Sequence, residues 1–335
     1  MNVGIYIGRF QPLHIGHITI MAYMQKKYDH IIVLVGSANQ RASIKNPFSF
    51  EQRKQWLEQS FFDLVDDANS PQKISVLPLN DYRYNEKKWE AGLVAQVASV
   101  TIDMDNVTLV GHEKDDSSYY LKSFPQWTYD SVAQSIKISA TPIRTAWFED
   151  RLADYAKFLP PYVQQYLSVK QPDHKDTFAE YAYLEAEKQK FTDYPYPETL
   201  KLCCADAVLV CNDAILLIKR GDVIGKGSWA LPGGYVNRGE RFADGAMREL
   251  YEETQIDAKP EQIKLINSHM FDDPKRTFGF DRMTVGHYYT FKGNCPAVKG
   301  ADDAAEAKWV KLSHIKNMKM FDDHADIIDH FLNIL

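Results

Sequence analysis

Two histidines three positions apart, His14 and His17, close the stretch GRFQPLHIGH, where the apolar run VGIYI gives way to a helical pattern. A helix start offers unpaired N–H groups and a partial positive charge, and imidazoles placed there can meet phosphate oxygens. Capping and metal binding are the other uses of such a pair. A second stretch, ISATPIR from Ile138 to Arg144, supplies the hydroxyls of Ser139 and Thr141, a proline suited to a first helical turn, and a guanidinium about one turn later. That too is an anion-binding helix start, with a plain Ser/Thr cap as its alternative. Much further along, Glu249, Glu252 and Glu253 fall at i, i+3 and i+4, so a helix would gather three carboxylates on one face. Like charges that close repel, and a divalent cation favouring oxygen ligands, Mg²⁺ or Mn²⁺, is the economical reason to gather them.

The chain that must position these groups has 335 residues, enough for about two domains at roughly 150 residues each. Apolar residues at 45% and charged residues at 25% place it among ordinary globular proteins, and disorder and low-complexity classes are excluded. Acids outnumber bases, 45 to 39, and the net charge of −6 argues against a nucleic-acid clamp while leaving room for a local basic pocket. The N-terminus lacks the pattern of a secretory signal, and the apolar runs are strand-length, short of the roughly 18 residues a membrane span needs. A cytoplasmic protein with neither membrane nor nucleic acid as partner is expected. Cys203, Cys204, Cys211 and Cys295 show no CxxC spacing, and three of them sit in an apolar stretch where reduced, buried thiols are expected rather than zinc ligands.

Strands and helices alternate through the first half. VGIYI leads to a helix over about 16–27, then the buried strand IIVLVG, a helix from Ser49, a strand around 74–77, and VTLVG ending at Gly111. Such alternation predicts a doubly wound parallel sheet, with ligands at the carboxyl ends of its strands. Residues 171–200 are polar and carry Pro172, Pro195 and Pro197 around a predicted helix over 178–190, which reads as a linker. From Lys201 the pattern becomes α+β. DAVLVCNDAILLIKR reads as two strands joined at Asn212 and Asp213, followed by a Gly-rich loop, one charged helix, strands ending near Trp309, and a helical finish over 313–335. No internal repeat relates the halves, so the expected domains are 1–170 and 201–335 with 171–200 between them. The stretch GKGS at Gly225–Ser228 is not a phosphate-binding P-loop, because Arg220 stands where its first glycine is required.

Taken together, HxGH and ISxTxxR resemble the signature pair of the nucleotidylyltransferase superfamily. GRFQPLHIGH, GSANQRASIKNPFSFEQR and GHEKDDSSYYLKSFPQW bring the first 150 or so residues close to the archaeal-type nicotinamide mononucleotide adenylyltransferases. The resemblance implies a Rossmann-like fold and transfer of AMP from ATP to nicotinamide mononucleotide, giving NAD and pyrophosphate with Mg²⁺. It implies that His14 and His17 contact the ATP phosphates, with His17 at the α-phosphate. Ser139, Thr141 and Arg144 would hold the β- and γ-phosphates, and Gly8, Arg9 and Phe10 would shape the same cradle. Lys45 stands where the family often has arginine, which keeps the charge and loses the bidentate fork. Trp89 matches an aromatic that stacks on the nicotinamide ring, and a core tryptophan is the alternative.

The second half resembles a Nudix hydrolase. The pattern Gx5Ex7REUxEExGU, with U aliphatic, is met by Gly234, Glu240, Arg248, Glu249, Leu250, Glu252, Glu253 and Ile256, and departs from it where Gln255 replaces the last glycine. The resemblance implies metal binding by Glu249, Glu252 and Glu253 with the Gly234 carbonyl, and orienting roles for Glu240 and Arg248. Glu306 is a candidate further ligand or base, with an ordinary surface glutamate as the alternative. The stretch 271–291 resembles Nudix proteins that handle ADP-ribose, with Arg276 expected at a phosphate or ribose. The combined expectation is a bifunctional enzyme of NAD metabolism whose substrates are ATP, nicotinamide mononucleotide and ADP-ribose, able to associate with itself. Two alternatives remain: a nucleotidylyltransferase with another acceptor, and a non-catalytic second domain that senses ADP-ribose or NAD.

Overall fold

The computed structural model describes residues 2–64, 72–101, 106–111, 123–133, 136–169, 172–195 and 200–334. They form two compact units, Met1–Lys175 and Asp176–Leu335. Most of the stretch GHEKDDSSYYLKSFPQW, from 112 to 122, lies outside the described residues, as do 196–199 of the proline-bearing segment.

In the first unit β1 (Val3–Gly8), β2 (His30–Val35), β3 (Lys73–Pro78), β4 (Val107–Gly111) and β5 (Thr128–Ser131) make one parallel sheet in the order β3-β2-β1-β4-β5. The chain therefore steps outward from β1 to β3 and then returns to the other side of β1. This leaves a crevice beyond the carboxyl ends of β1 and β4, the place where doubly wound sheets bind ligands. The crossovers are α1 (Ile15–Gln25), α2 (Phe50–Leu64) and α3 (Glu86–Ala98), and α4 (Ala140–Phe148) and α5 (Pro161–Ser168) follow the sheet. Residues of β2 are buried throughout, as a central parallel strand covered on both faces must be. At Gly4 a Cβ would come within 2.8 Å of the Tyr28 ring, so a glycine lets the end of α1 lie directly on β1. The same region is tied laterally: Asp130 on β5 accepts from Tyr28 (2.7 Å), Tyr23 (2.9 Å) and Lys27 (2.7 Å).

The second unit is built on a seven-stranded mixed sheet. Its path is β10 (Ile263–Phe271), β11 (Arg282–Phe291), β6 (Leu202–Cys211), β7 (Ala214–Arg220) and β12 (Ala304–Lys311), with β8 (Trp229–Ala230) on β7 and β9 (Gly233–Tyr235) on β6. Only β6 and β11 run parallel along that path. One face, carrying Ala205, Leu209 and Tyr289, packs on α7 (Phe242–Thr254) through Ala246 and Leu250. On the opposite face Gly286 meets Ile327 and Phe331 of α8 (His324–Leu332). The helix α6 (Lys175–Gln189) belongs to this unit apart from its first residue and buries Tyr181 and Leu184.

Two expectations are corrected. Cys211 and Cys295 form a disulfide across 84 positions and Cys203 is exposed, so the cysteines are not a set of buried thiols. Spacing along the sequence could not reveal that the end of β6 meets the loop after β11. The helical finish is also shorter than 313–335: a 3-10 segment, Leu312–Asn317, precedes a Met320 bridge to Trp229, and only His324–Leu332 is α-helical.

Candidate active sites

At the end of β1 the chain turns sharply, with Phe10 at φ 52°, and the Phe10 ring folds beneath Gly8, where a Cβ would come within 2.7 Å of it. The buried ring meets His17 edge-on at 4.9 Å. Gln11 then clasps the loop after β2, donating to the Phe48 carbonyl (2.8 Å) while its own carbonyl oxygen accepts from the Phe48 N–H (3.0 Å). His14 caps α1, its ring stacked on His17 at 3.7 Å, and its backbone N–H donates to His17 Nδ1 at 3.2 Å. That bond makes Nδ1 an acceptor, so a neutral His17 carries its proton on Nε2, the donor a phosphate oxygen requires.

Arg144 lies one turn into α4 and is buried, donating to the Gln11 carbonyl (2.6 Å) and to Thr141 Oγ1 (3.3 Å). Burial, reinforced by the charge of Arg9, pushes its guanidinium down to about 10. Ser139 holds the cap position of the same helix. The two signature stretches are therefore joined by a hydrogen bond between residues 133 apart in sequence.

Arg53 was not singled out by the sequence, yet it completes this cationic floor. It is 1% exposed on α2 and donates to the carbonyls of Arg9 (2.8 Å), Gly36 (2.7 Å) and Ser49 (3.1 Å). Burial lowers it to about 10, Asp81 opposes that, and Arg9 adds to it. Two desolvated guanidiniums that also feel Arg9 form a site that gains from an anion. A signal was present: Arg53 sits on the stripe Arg53, Trp56, Leu57, Ser60, Phe61, where an apolar residue would be the usual occupant. Lys45 is half-buried in the loop after β2. Trp89 is partly buried against the sheet core, 6.2 Å from the Phe124 ring.

In the second unit the three glutamates divide by depth. Glu253 is 1% exposed on the face of α7 that buries Ala246 and Leu250, Glu249 is nearly buried, and Glu252 stands half in solvent. The Gly233 N–H donates to Glu253 Oε2 at 2.8 Å, and a Cβ on Gly234 would come within 2.5 Å of Glu249 Oε1, so this strand fits against carboxylates only as glycine. Arg248 binds Glu240 (2.8 Å), Glu249 (2.7 Å), Glu252 (2.8 Å) and the Tyr235 carbonyl (2.9 Å), which makes it the brace of loop and helix. Burial raises the Glu249 carboxyl. Burial pushes Glu253 further, up to about 10, helped by a hydrogen bond with Asp303 and by the charges of Asp303 and Glu249.

Asp303, just ahead of β12, is the second residue the sequence did not single out. Its backbone carbonyl accepts from Gly221 at 2.8 Å, which fixes it beside the glutamates. Glu306, chosen from the same acidic stretch, is half-exposed and paired with Lys308 at 3.4 Å. Arg276 is buried in a bidentate pair with Asp323, both bonds 2.9 Å. Gln255 closes α7 in the left-handed region at φ 42°, the conformation expected of the glycine it replaces, and its N–H reaches the Tyr251 carbonyl at 3.0 Å. The helix end is thus preserved, and Glu249 and Glu253 keep their places.

A cavity of about 640 Å³ adjoins this site through Gly233, Gly234 and Asp303 and is lined also by Arg276 and Arg282, while Glu249, Glu252 and Glu253 lie outside its lining. The donor set fits a hard divalent cation: buried carboxylates held against one another, with the Gly234 backbone at their oxygens. Among the described residues no three His, Cys, Asp or Glu groups already form a closed ligand set. Arg248 engages Glu249 and Glu252, and a cation would have to take over those oxygens.

Comparison with known proteins agrees with both halves. Residues 5–146 match the cytidylyltransferase-like family and residues 203–331 match the NUDIX domain. A nicotinamide/nicotinic acid mononucleotide adenylyltransferase of Acinetobacter baylyi is 35% identical over 154 residues, which is 45% of this chain and 78% of that protein. A nicotinamide-nucleotide adenylyltransferase of Thermococcus onnurineus is 26% identical over 49% of this chain and 81% of its own length. The crystal structure of a bifunctional NMN adenylyltransferase/ADP ribose pyrophosphatase from Francisella tularensis superposes with a TM-score of 0.90 at 32% identity, covering 99% of this chain and 98% of that one. A second structure of that protein, complexed with AMP and a Mn ion, gives 0.89 at 31% identity, with the same coverage.

Fold and sites together define a two-headed enzyme, a nucleotidyltransferase followed by a Nudix hydrolase. The chain belongs to the family in which a nicotinamide mononucleotide adenylyltransferase domain is fused to a Nudix domain.

Proposed function

We propose that the first unit transfers AMP from ATP to nicotinamide mononucleotide, forming NAD and pyrophosphate, and that the second hydrolyses ADP-ribose to AMP and ribose 5-phosphate with Mg²⁺ or Mn²⁺. The transferase lies in 1–170 and the hydrolase in 201–335, and of the joining segment 171–200 the helix α6 packs with the hydrolase unit. The observation that carries this reading is that each half holds ionisable groups whose charged form burial disfavours and a bound substrate or cation would restore. Buried Arg53 and Arg144 lie beneath a crevice suited to a triphosphate, and buried Glu249 and Glu253 crowd where a cation would sit.

In the transfer reaction an oxygen of the acceptor's 5′-phosphate bonds to the α-phosphorus of ATP as the bond to the β-phosphate bridge breaks. The attacking group is already an anion, so no general base is needed and catalysis is positioning and charge stabilisation. His17 donates from Nε2 to the α-phosphate, His14 holds the His17 ring, and Arg144, Ser139, Thr141 and Arg9 receive the leaving pyrophosphate. Arg53 fixes the backbone of Arg9 and Gly36 and adds field to the same place.

In the hydrolytic reaction water attacks one phosphorus of the diphosphate, and the other phosphate leaves. A divalent cation held by Glu249 and Glu253, with Glu252 and the Gly234 carbonyl assisting, would supply charge neutralisation and an acidified water. Asp303, which interacts with Glu253, would steady that carboxyl or take a proton from the water, and Arg248 keeps loop and helix in register. The test is separation of the two activities on one purified chain. His17→Ala is expected to cost synthesis about 10²–10³-fold, the usual loss for one such donor, and to leave hydrolysis intact, with Glu253→Gln doing the reverse.

A further inference from the structure

The cavity beside the glutamates is not built from the stretch that matches the NUDIX domain alone. Tyr183, Glu187 and Phe191 line it together with Gly233, Gly234 and Asp303, yet they precede residue 203, where the family match begins. Tyr183, Glu187 and Phe191 recur at four-residue steps, so α6 and the turn after it present one face to the cavity. The neighbouring face of α6 is anchored. Tyr181 and Leu184 are buried, and Leu184 meets the Gly279 backbone, where a Cβ would lie 3.3 Å away and φ is +91°. Lys188 lies over the Phe278 ring at 5.6 Å, and Phe191 meets Phe280 edge-to-face at 5.4 Å. The helix therefore braces the 272–281 loop, which gives the cavity Arg276, Thr277 and Phe280, and adds a wall of its own.

A nucleoside diphosphate linked to a second group has two unlike parts to place. Its diphosphate is drawn to the cation site, and its base is planar, weakly polar and best received by aromatic faces. Cations engage much of the cavity's aromatic lining: the Arg220 guanidinium lies 4.4 Å from the Phe321 ring centre, and Arg282 bonds to the Tyr235 hydroxyl at 3.2 Å and lies 5.4 Å from the Phe280 ring centre, so Phe191 and Tyr183 are the rings of the α6 wall that no cation covers among the described residues. Phe191, Phe280 and Tyr183 form the aromatic group contributed by α6 and the loop it braces. Glu187, whose carboxylate is steadied by Lys190, is the acceptor set among them.

We propose that α6 is a specificity element of the hydrolase: Tyr183, Phe191 and Phe280 receive the base of the nucleoside diphosphate substrate, and Glu187 accepts from its exocyclic amine. The proposal rests on the hydrolase reading given above and adds what selects the substrate. A carboxylate accepts from the amine of adenine and repels the carbonyl that replaces it in hypoxanthine, so the wall favours adenine nucleotides.

The test is steady-state hydrolysis of ADP-ribose and of its hypoxanthine counterpart by the full chain and by Phe191→Ala, Tyr183→Ala and Glu187→Gln. Tyr183 is 44% exposed, so its truncation keeps the test alive if Phe191→Ala fails to fold. Phe191→Ala and Tyr183→Ala are expected to raise KM for ADP-ribose about tenfold with kcat within about twofold, the loss of one stacked ring. Glu187→Gln is expected to narrow the kcat/KM preference for adenine over hypoxanthine. Unchanged KM in both truncations, or an unchanged preference in Glu187→Gln, overturns the proposal. If the unmodified chain releases no AMP, the hydrolase reading fails separately. Equilibrium binding of ADP-ribose to the same variants then decides, with an unchanged Kd counting against the wall.

Discussion

Glu253 is asked to do two incompatible things, and Glu253→Gln separates them. Its carboxyl is buried on the apolar face of α7, beside Asp303 and Glu249, and is pushed from 4.5 up to about 10. A group whose folded value lies above its unfolded value contributes stability that is complete below the unfolded value and is lost as pH rises toward the folded one. The loss therefore runs from about pH 4.5 toward 10, at about 1.4 kcal/mol per unit for one proton, or about 4 kcal/mol by pH 7.5. Glutamine keeps the shape, can accept from the Gly233 N–H, can donate to Asp303, and needs no proton. In chelator at pH 7.5, Glu253→Gln should raise the stability of the second unit by about 1–3 kcal/mol, part of that penalty. It should also flatten its pH dependence by up to one proton between pH 6 and 9. Calorimetry or urea unfolding across that range reads both effects. The same variant should lose hydrolysis and lose the stabilisation that Mn²⁺ or Mg²⁺ gives the unmodified chain. A Glu253→Gln protein less stable than its parent in chelator, or a parent whose second unit is flat with pH, would show that the buried carboxyl carries no such penalty.

Other consequences can be checked on the same preparations. Gly234→Ala would place a Cβ within 2.5 Å of Glu249 Oε1 and should cut hydrolysis at least tenfold in an AMP-release assay while NAD synthesis is kept. Gln255→Gly relieves a left-handed residue at φ 42° and should stabilise the second unit by about 1 kcal/mol in thermal unfolding. Asp323→Asn leaves the buried Arg276 without its bidentate partner and should cost about 3–5 kcal/mol in urea unfolding. Arg53→Met removes a guanidinium that holds the Arg9 and Gly36 carbonyls, and should raise KM for ATP with hydrolysis unaffected.

Much of this architecture was legible in sequence because its chemistry is local. The helix starts at His14 and Ser139, the strand alternation between them, and the helix bearing Glu249, Glu252 and Glu253 are each written in a short window, and each formed. What was not legible depends on distant segments meeting. Asp303 reaches the glutamates because Gly221 fixes its backbone, while Glu306, three positions on along a strand, turns to Lys308 and solvent. Arg53 is tied to carbonyls up to 44 positions away. Arg276, expected at a substrate phosphate, is held by Asp323 from α8's cap, and the Cys211–Cys295 disulfide joins positions 84 apart. The three glutamates share a helix but not an environment. A spacing rule counts residues around the helix, whereas the sheet beneath decides which of them is buried.

Two active sites carried on one chain should act independently of each other. The most direct measurement follows NAD formation from ATP and nicotinamide mononucleotide, and AMP release from ADP-ribose, with unmodified, His17→Ala and Glu253→Gln proteins under identical conditions. Both activities are expected in the unmodified chain, hydrolysis alone in His17→Ala, and synthesis alone in Glu253→Gln. Loss of both activities in either folded variant, or an unmodified chain active in only one reaction, would contradict this expectation.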